Sequence, residues 1–213
     1  MGNLLNLFYV GLLILVSPYL CYRRWRTGRY REGLSQKLWG NCPPRSGNAP
    51  CLWLHAASVG EVLQIEPVIS SWKQQHPDWD IALSVVTQTG MQVARKTYPD
   101  CQLFYAPLDF TWSVKKVIAR LRPACLVLVE LELWPNLIRE VSRAGVSLVL
   151  INGRLSEKSF RGYRKIRPLI RHLLRKFGAI TAQNSDYADR FAALGARPGR
   201  LTVSGSIKYD RLV

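Results

Sequence analysis

From residue 51 onward, short runs of Leu, Val, Ile and aromatic residues alternate with longer polar stretches. The runs are CLWLHA (51–56), IALSVVT (81–87), LFYAP (103–107), CLVLVELE (125–132), VSLVLING (146–153), AITAQ (179–183) and LTVSG (201–205). Several are apolar at every position, as a strand is when both faces of its sheet are covered. Between them, helices are expected over Glu61–Gln75, Met91–Thr97 and Trp112–Leu121, the last with Val114, Val117, Ile118 and Leu121 on one face. Another begins near Pro135, a basic helix covers Ile166–Phe177, and Asp186–Leu194 closes at Gly195. Strand and helix alternating across short links describe an α/β domain, a Rossmann-like parallel sheet flanked by helices over 51–213.

The first fifty residues are different. Residues 4–22 carry no charge, and their length matches the ~30 Å hydrocarbon core that a helix must cross. RRWRTGRYR follows at once, five arginines in nine residues. The positive-inside rule keeps that flank cytoplasmic and sends the N-terminus to the far side. A cleaved signal peptide would carry its charges before the apolar run and a small-residue cleavage site after it. Asn6 and Pro18 interrupt the span, so a shallow interfacial helix stands as the alternative. GNCPPRSGNAP (40–50) reads as a linker. The expected organisation is an anchor over 1–22, a basic flank and linker over 23–50, and the domain over 51–213.

A net charge of +16 calls for an anionic partner: nucleic acid, an anionic membrane surface or a phosphorylated substrate. The five cysteines are odd in number and contain no CxxC pair, which favours reduced thiols in a cytosolic compartment over disulfides or zinc. GxGxxG, GxxxxGK[ST], GxSxG and HExxH are all missing, so dehydrogenase, P-loop, hydrolase and zincin readings lose support.

The first strand runs into Ala57-Ser58-Val59-Gly60-Glu61, a strand–turn–helix junction at the carboxyl end of a strand, where open α/β sheets bind ligands. Ser58 to Glu61 fits the capping box S-x-x-E, in which Ser58 takes the Glu61 amide and the Glu61 side chain returns to the Ser58 amide. The functional reading makes Glu61 a general base, kept ionised by the helix N-terminus. A Glu61 folded back on its own helix and shut off from any groove would count against that role. Glu130 and Glu132 close the fourth run, and at a period of two they share a face, or point to the loop edge if the strand ends there. Unpaired buried carboxylates are costly, so these bond a helix start near Asn136 or belong to a site. Arg154, after Asn152-Gly153, and Lys208, in the last motif, are expected at the same edge. From Arg154 to Lys176 nine Lys or Arg face one acid, Glu157, while Leu169, Ile170, Leu173 and Leu174 form an apolar stripe. Beside an anchor this reads as a surface facing anionic lipid; nucleic acid ranks lower, since no recognised module is present. His55 reads as a hydrogen-bonded core residue.

HAASVGE (55–61), PLDF (107–110) with Trp112, ELELWPN (130–136), NGRLSEKS (152–159) and GSIKYD (205–210) together resemble the 3-deoxy-D-manno-octulosonic acid (Kdo) transferases of lipopolysaccharide assembly. Leu131 and Ser206 stand where that family usually shows Thr and Asn. The resemblance implies the N-terminal domain of a GT-B glycosyltransferase at the cytoplasmic face of the inner membrane. It implies inversion, CMP-Kdo as donor, a lipid A precursor such as lipid IVA as acceptor, and no metal or cofactor. Glu61 becomes the general base, with Glu130 and Lys208 as active-site residues and Ser58, Gly60, Glu132, Asn136 and Arg154 around them. The family's nucleotide-binding domain is expected to be missing, which would leave the isolated chain inactive and CMP-Kdo held elsewhere. The competing expectations are a non-catalytic membrane module that binds anionic lipid or a partner, and a GT-B transferase of different donor.

Overall fold

The computed structural model describes residues 2–27 and 32–208. Residues 28–31 of the basic flank, and Tyr209 and Asp210 of the last motif, lie outside the described residues. Helix α1 (Gly2–Thr27) is followed by a short α2 (Leu34–Trp39). The sheet strands are β1 (Cys51–Ala56), β2 (Asp80–Val85), β3 (Gln102–Tyr105), β4 (Cys125–Val129), β5 (Ser147–Gly153), β6 (Ala179–Ala182) and β7 (Leu201–Val203). The helices between them are α3 (Val59–Gln64), α4 (Glu66–Gln75), α5 (Gln88–Thr97), α6 (Thr111–Leu121), α7 (Pro135–Arg143), α8 (Glu157–Lys165), α9 (Arg167–Leu174) and α10 (Ser185–Leu194).

All strand pairs are parallel, and their order across the sheet is β3-β2-β1-β4-β5-β6-β7. The chain builds outward from β1 in one direction, crosses back, and builds outward in the other. Strand order therefore reverses between β1 and β4, and the crevice beyond their carboxyl ends is where such a sheet receives a ligand. Alternate β1 side chains feed opposite cores. Leu52, Leu54 and Ala56 join Val62, Ile65, Leu83 and Val85, whereas Cys51 and Trp53 join Phe104, Val114, Leu126 and Leu128. With two cores to fill, a polar position in β1 is costly, and this explains its unbroken apolar run.

Several expected boundaries change. The helix read over Glu61–Gln75 is two, α3 and α4, which meet at Ile65 with φ −81° and ψ 0°, and Pro67 sits in the first turn of α4. A proline there removes no helical hydrogen bond but cannot sit in a continuous helix interior. The basic helix expected over Ile166–Phe177 is α9, with Pro168 in its first turn, and an additional α8, capped by the Ser156 hydroxyl on the Ser159 amide, lies before it. The fourth strand stops at Val129, because Glu130 turns into the left-handed region at φ 58°. Glu130 and Glu132 therefore do not alternate along a strand.

The stretch 40–50 has no regular structure but is held down. Arg45 binds the Leu121 carbonyl and the Asp80 carboxylate, Arg120 binds the Cys42 carbonyl, and Cys42 is fully buried. All five cysteines are free thiols. In α1, Gly2–Tyr19 is long and apolar enough to cross a membrane, with a mean hydropathy of 1.4.

Candidate active site at the switch point of the sheet

Strand β1 delivers the chain to Ser58, which adopts extended backbone (φ −121°, ψ 165°) and accepts the Glu61 amide on its hydroxyl at 3.3 Å. The Glu61 carboxylate returns to this turn. One oxygen accepts the Ala57 amide at 2.7 Å and the other the Ser58 hydroxyl at 2.9 Å. The expected cap is present, and the Ala57 amide joins the Ser58 backbone in holding the returning carboxylate. Glu61 is 7% exposed and lines neither of two surface cavities of about 260 and 310 Å³. This is the folded-back arrangement that counts against a base in an open groove. Ser58 and Gly60 stay solvent-exposed in the same turn. A Cβ on Gly60 would meet only ordinary contacts at 3.7 and 3.8 Å, so packing within the chain does not require glycine there.

Strand β4 ends beside β1 and delivers Glu130 and Glu132. The Glu130 amide closes on the Ile151 carbonyl at 3.0 Å. Glu132 accepts the Trp134 indole N–H, and the same oxygen lies 4.0 Å from His55 Nε2. Burial raises the Glu61 carboxyl above the usual range and Glu130 adds to the rise, outweighing the Ala57 and Ser58 donors. Burial also raises Glu132; the Trp134 bond opposes it, and Glu61 and Glu130 reinforce it. The three acids therefore form one electrostatic cluster at the switch point, where like charges disfavour full ionisation.

His55 is buried beneath them. Its Nδ1 lies 2.9 Å from the Ser84 hydroxyl, which also accepts the Trp53 indole N–H at 2.8 Å. Its Nε2 has no hydrogen-bond partner among the described residues and faces Glu132. Burial pushes the ring down to about 4, so it is neutral. The core reading of His55 is right for one ring nitrogen and incomplete for the other.

Two expected cations sit at the rim. Arg154 and Lys208 are exposed, and neither is among the charges that act on Glu61 or Glu132. What links their segments to the site is Asn152, which takes φ 55° at the end of β5 and is fully buried. Its amide donates to Gln64 at 3.0 Å, and its carbonyl oxygen accepts the Ile207 amide at 3.4 Å. The end of β5, the helix bearing Glu61 and the turn before Lys208 are thereby joined through a residue that the sequence reading passed over.

Asn136 is part of the scaffold. Fully buried, it binds the Asp109 carbonyl, Asn6 and Arg139 through its side chain. Asp109, rather than either glutamate, caps α7: its carboxylate accepts the Asn136 amide at 3.0 Å, the Leu137 amide at 2.8 Å and the Tyr9 hydroxyl at 3.1 Å. Burial still pushes Asp109 up to about 6. On α9, Ile170, Leu173 and Leu174 are buried and the arginines face solvent, as expected. No group of three or more His, Cys, Asp or Glu suited to a metal occurs among the described residues.

Residues 25–211 match the family model for 3-deoxy-D-manno-octulosonic-acid transferase (kdotransferase). A 3-deoxy-D-manno-octulosonic acid transferase of Haemophilus influenzae is 34% identical over 212 residues, covering 95% of this chain and 49% of the relative. One from Chlamydia pneumoniae is 31% identical over 197 residues, covering 92% and 45%. The chain thus spans about half the length of the curated relatives it matches. In three dimensions it resembles a UDP-GlcNAc 2-epimerase from Neisseria meningitidis solved with UDP-GlcNAc, with a TM-score of 0.56 and 13% identity over 76% of this chain and 48% of that one. At that identity the likeness is one of fold.

Proposed function

This chain belongs to the 3-deoxy-D-manno-octulosonic-acid transferase family, and from that premise we propose that it acts in an inverting glycosyltransferase of lipopolysaccharide biosynthesis. The donor in this reading is CMP-Kdo and the acceptor a lipid A precursor such as lipid IVA. Helix α1 and the basic face of α8 and α9 hold the protein to the cytoplasmic side of the inner membrane. The observation that carries the reading is the cluster of Glu61, Glu130 and Glu132 at the point where strand order reverses.

The chemistry is attack of an acceptor hydroxyl on the anomeric carbon of Kdo as CMP departs. Glu61 takes the hydroxyl proton. Its two bonds to the turn occupy about half of the lone-pair sites of a carboxylate. The remaining sites can accept a proton, and burial makes that oxygen more basic. Gly60 gives the sugar room to approach, since a side chain there would project from the exposed first turn. Arg154 and Lys208 at the rim would offset the donor's negative charge.

Glu61→Gln keeps both cap bonds within reach and removes the base. In a version extended to the full length of its relatives, with CMP-Kdo and lipid IVA, the expected loss in transfer is about 10²–10⁴-fold with an unchanged far-UV spectrum. A surviving rate refutes the base, and transfer from another nucleotide sugar but not from CMP-Kdo refutes the donor. A second reading, a non-catalytic module for anionic lipid, is favoured by the folded-back Glu61. In that case the unmutated full-length version also transfers nothing yet binds anionic vesicles.

A further inference from the structure

Helix α1 is tied to the domain near both ends. Toward its start, Gly2 packs against the Arg139 guanidinium, Asn6 exchanges hydrogen bonds with Thr111 and Asn136, and Tyr9 donates to Asp109. Five residues beyond its end, Glu32 accepts the Tyr105 hydroxyl at 2.7 Å and the Gln88 amide at 3.3 Å. Between these ties, Gly2, Asn6, Tyr9, Leu13 and Val16, spaced four and three apart, are the less exposed side. That spacing is one continuous helix stripe. The opposite side carries Leu4, Leu7, Phe8, Ile14 and Leu15, which are 64–77% exposed.

A crossing helix does not satisfy both ties. With its basic end cytoplasmic, residues 2–9 would lie deep in the bilayer, and the groups docked on them would go along. Lys115 and Arg143, both largely exposed beside Gly2 and paired on one side with Glu140, would then be carried into hydrocarbon, where charged side chains are costly. With the helix reversed, the five residues from Thr27 to Glu32, reaching at most ~18 Å, would have to recross ~30 Å.

Resting on the membrane attachment read above, we propose that α1 lies in the plane of the membrane surface, strapped along the domain, with its outward face seated in a leaflet containing anionic phospholipid. Charge marks both ends of that face. Lys115 and Arg143 flank its start; near its end Arg26 holds the Tyr22 hydroxyl at 2.9 Å and Arg23 lies over the Tyr19 ring at 5.7 Å. Trp25, 81% exposed, adds an aromatic group of the kind that settles at headgroup depth. In the plane, every one of these cations sits level with lipid phosphates.

The test uses the whole chain with Cys21→Ser, reconstituted from detergent into vesicles of phosphatidylethanolamine and phosphatidylglycerol. Nitroxides are placed by Leu4→Cys, Leu7→Cys and Ile14→Cys, and their depths are read by power saturation. The in-plane strap puts all three within about 5 Å of one depth. A crossing helix separates positions 4 and 14 by about 15 Å, which overturns the strap and leaves membrane attachment standing. Nitroxides open to water, or a chain that fails to join the vesicles, overturn both readings. Nitroxides shielded from water and lipid alike mean that a protein covers this face, which overturns the lipid partner.

Discussion

Asp109 joins α1 to α7 and should leave a signature in the pH dependence of stability. Its carboxylate accepts three donors yet is pushed up to about 6 from 3.8, because it is almost fully buried. A group whose pKa rises on folding favours the folded state while protonated, and that advantage is lost as pH climbs through the folded value. For Asp109 the window runs from about 4 to about 6. At 1.36 kcal/mol per unit, acidifying from pH 7 to pH 5 should add about 1 kcal/mol through this group, and pH 4 about 2. Asp109→Asn removes the titration and replaces one acceptor oxygen by an amide, which orphans a buried N–H at a cost of about 1–3 kcal/mol. At neutral pH, relief from the desolvated charge roughly offsets that cost. Below pH 5 the variant should be the less stable protein. The assay is urea unfolding of both proteins at pH 7, 5 and 4 in one detergent, read as the difference between them so that other titrations cancel. A difference that stays flat or reverses on acidification means the three donors outweigh burial, and the reasoning fails.

His55 works the other way in the pH dependence of the unmutated protein's stability. Lowered from 6.5 to about 4, it favours folding only while neutral, and should withdraw about 2 kcal/mol by pH 5. Replacing it with Gln should flatten the acid limb of that curve; an unchanged limb would mean the ring is hydrated. Gly40→Ala should lower stability by about 2 kcal/mol or more in a thermal melt, because φ is +64° and the new Cβ would sit 2.2 Å from the Ser113 carbonyl oxygen. A melt like that of the unmutated protein would show that α2 can move off α6.

Fold class was legible because both faces of the sheet are covered. A strand such as Leu126–Val129 has no polar side to present, and no other common arrangement uses seven such runs with helices between them. What went astray was decided by single residues. In VELE the alternation looked continuous, and the strand ended only because Glu130 adopts a conformation that few glutamates take. Pro67 is visible as punctuation, yet the apolar spacing on either side of it stays in phase and reads as one helix. Helix α8 was missed because its sequence is almost wholly polar; Ser156 followed by Glu157 was its start signal. The local part of the site, the cap at Ser58 and Glu61, could be read from four residues. Asp109 with Asn136, Asn152 with Gln64, and Asn6 with Asn136 are 27, 88 and 130 residues apart, and no window of sequence brings such partners together.

If the proposed reading holds and the donor is CMP-Kdo, the carboxylate cluster constrains how that anion would be handled. Three acids share the switch point, and none of the basic groups described here is among the charges acting on Glu61 or Glu132. Fully ionised, the cluster would repel a sugar acid carried on a phosphate. Burial works in the same sense as the acids' mutual repulsion, raising the carboxyls of both Glu61 and Glu132 above the usual range. Such a donor needs cations on its own side of the crevice. Arg154 and Lys208 would fit that need, since both are exposed and neither is among the charges acting on Glu61 or Glu132, while Asn152 fixes the edge from which their segments extend. Acids on the sheet side and cations on the rim would orient a donor whose negative groups face outward, with its anomeric carbon turned toward Glu61.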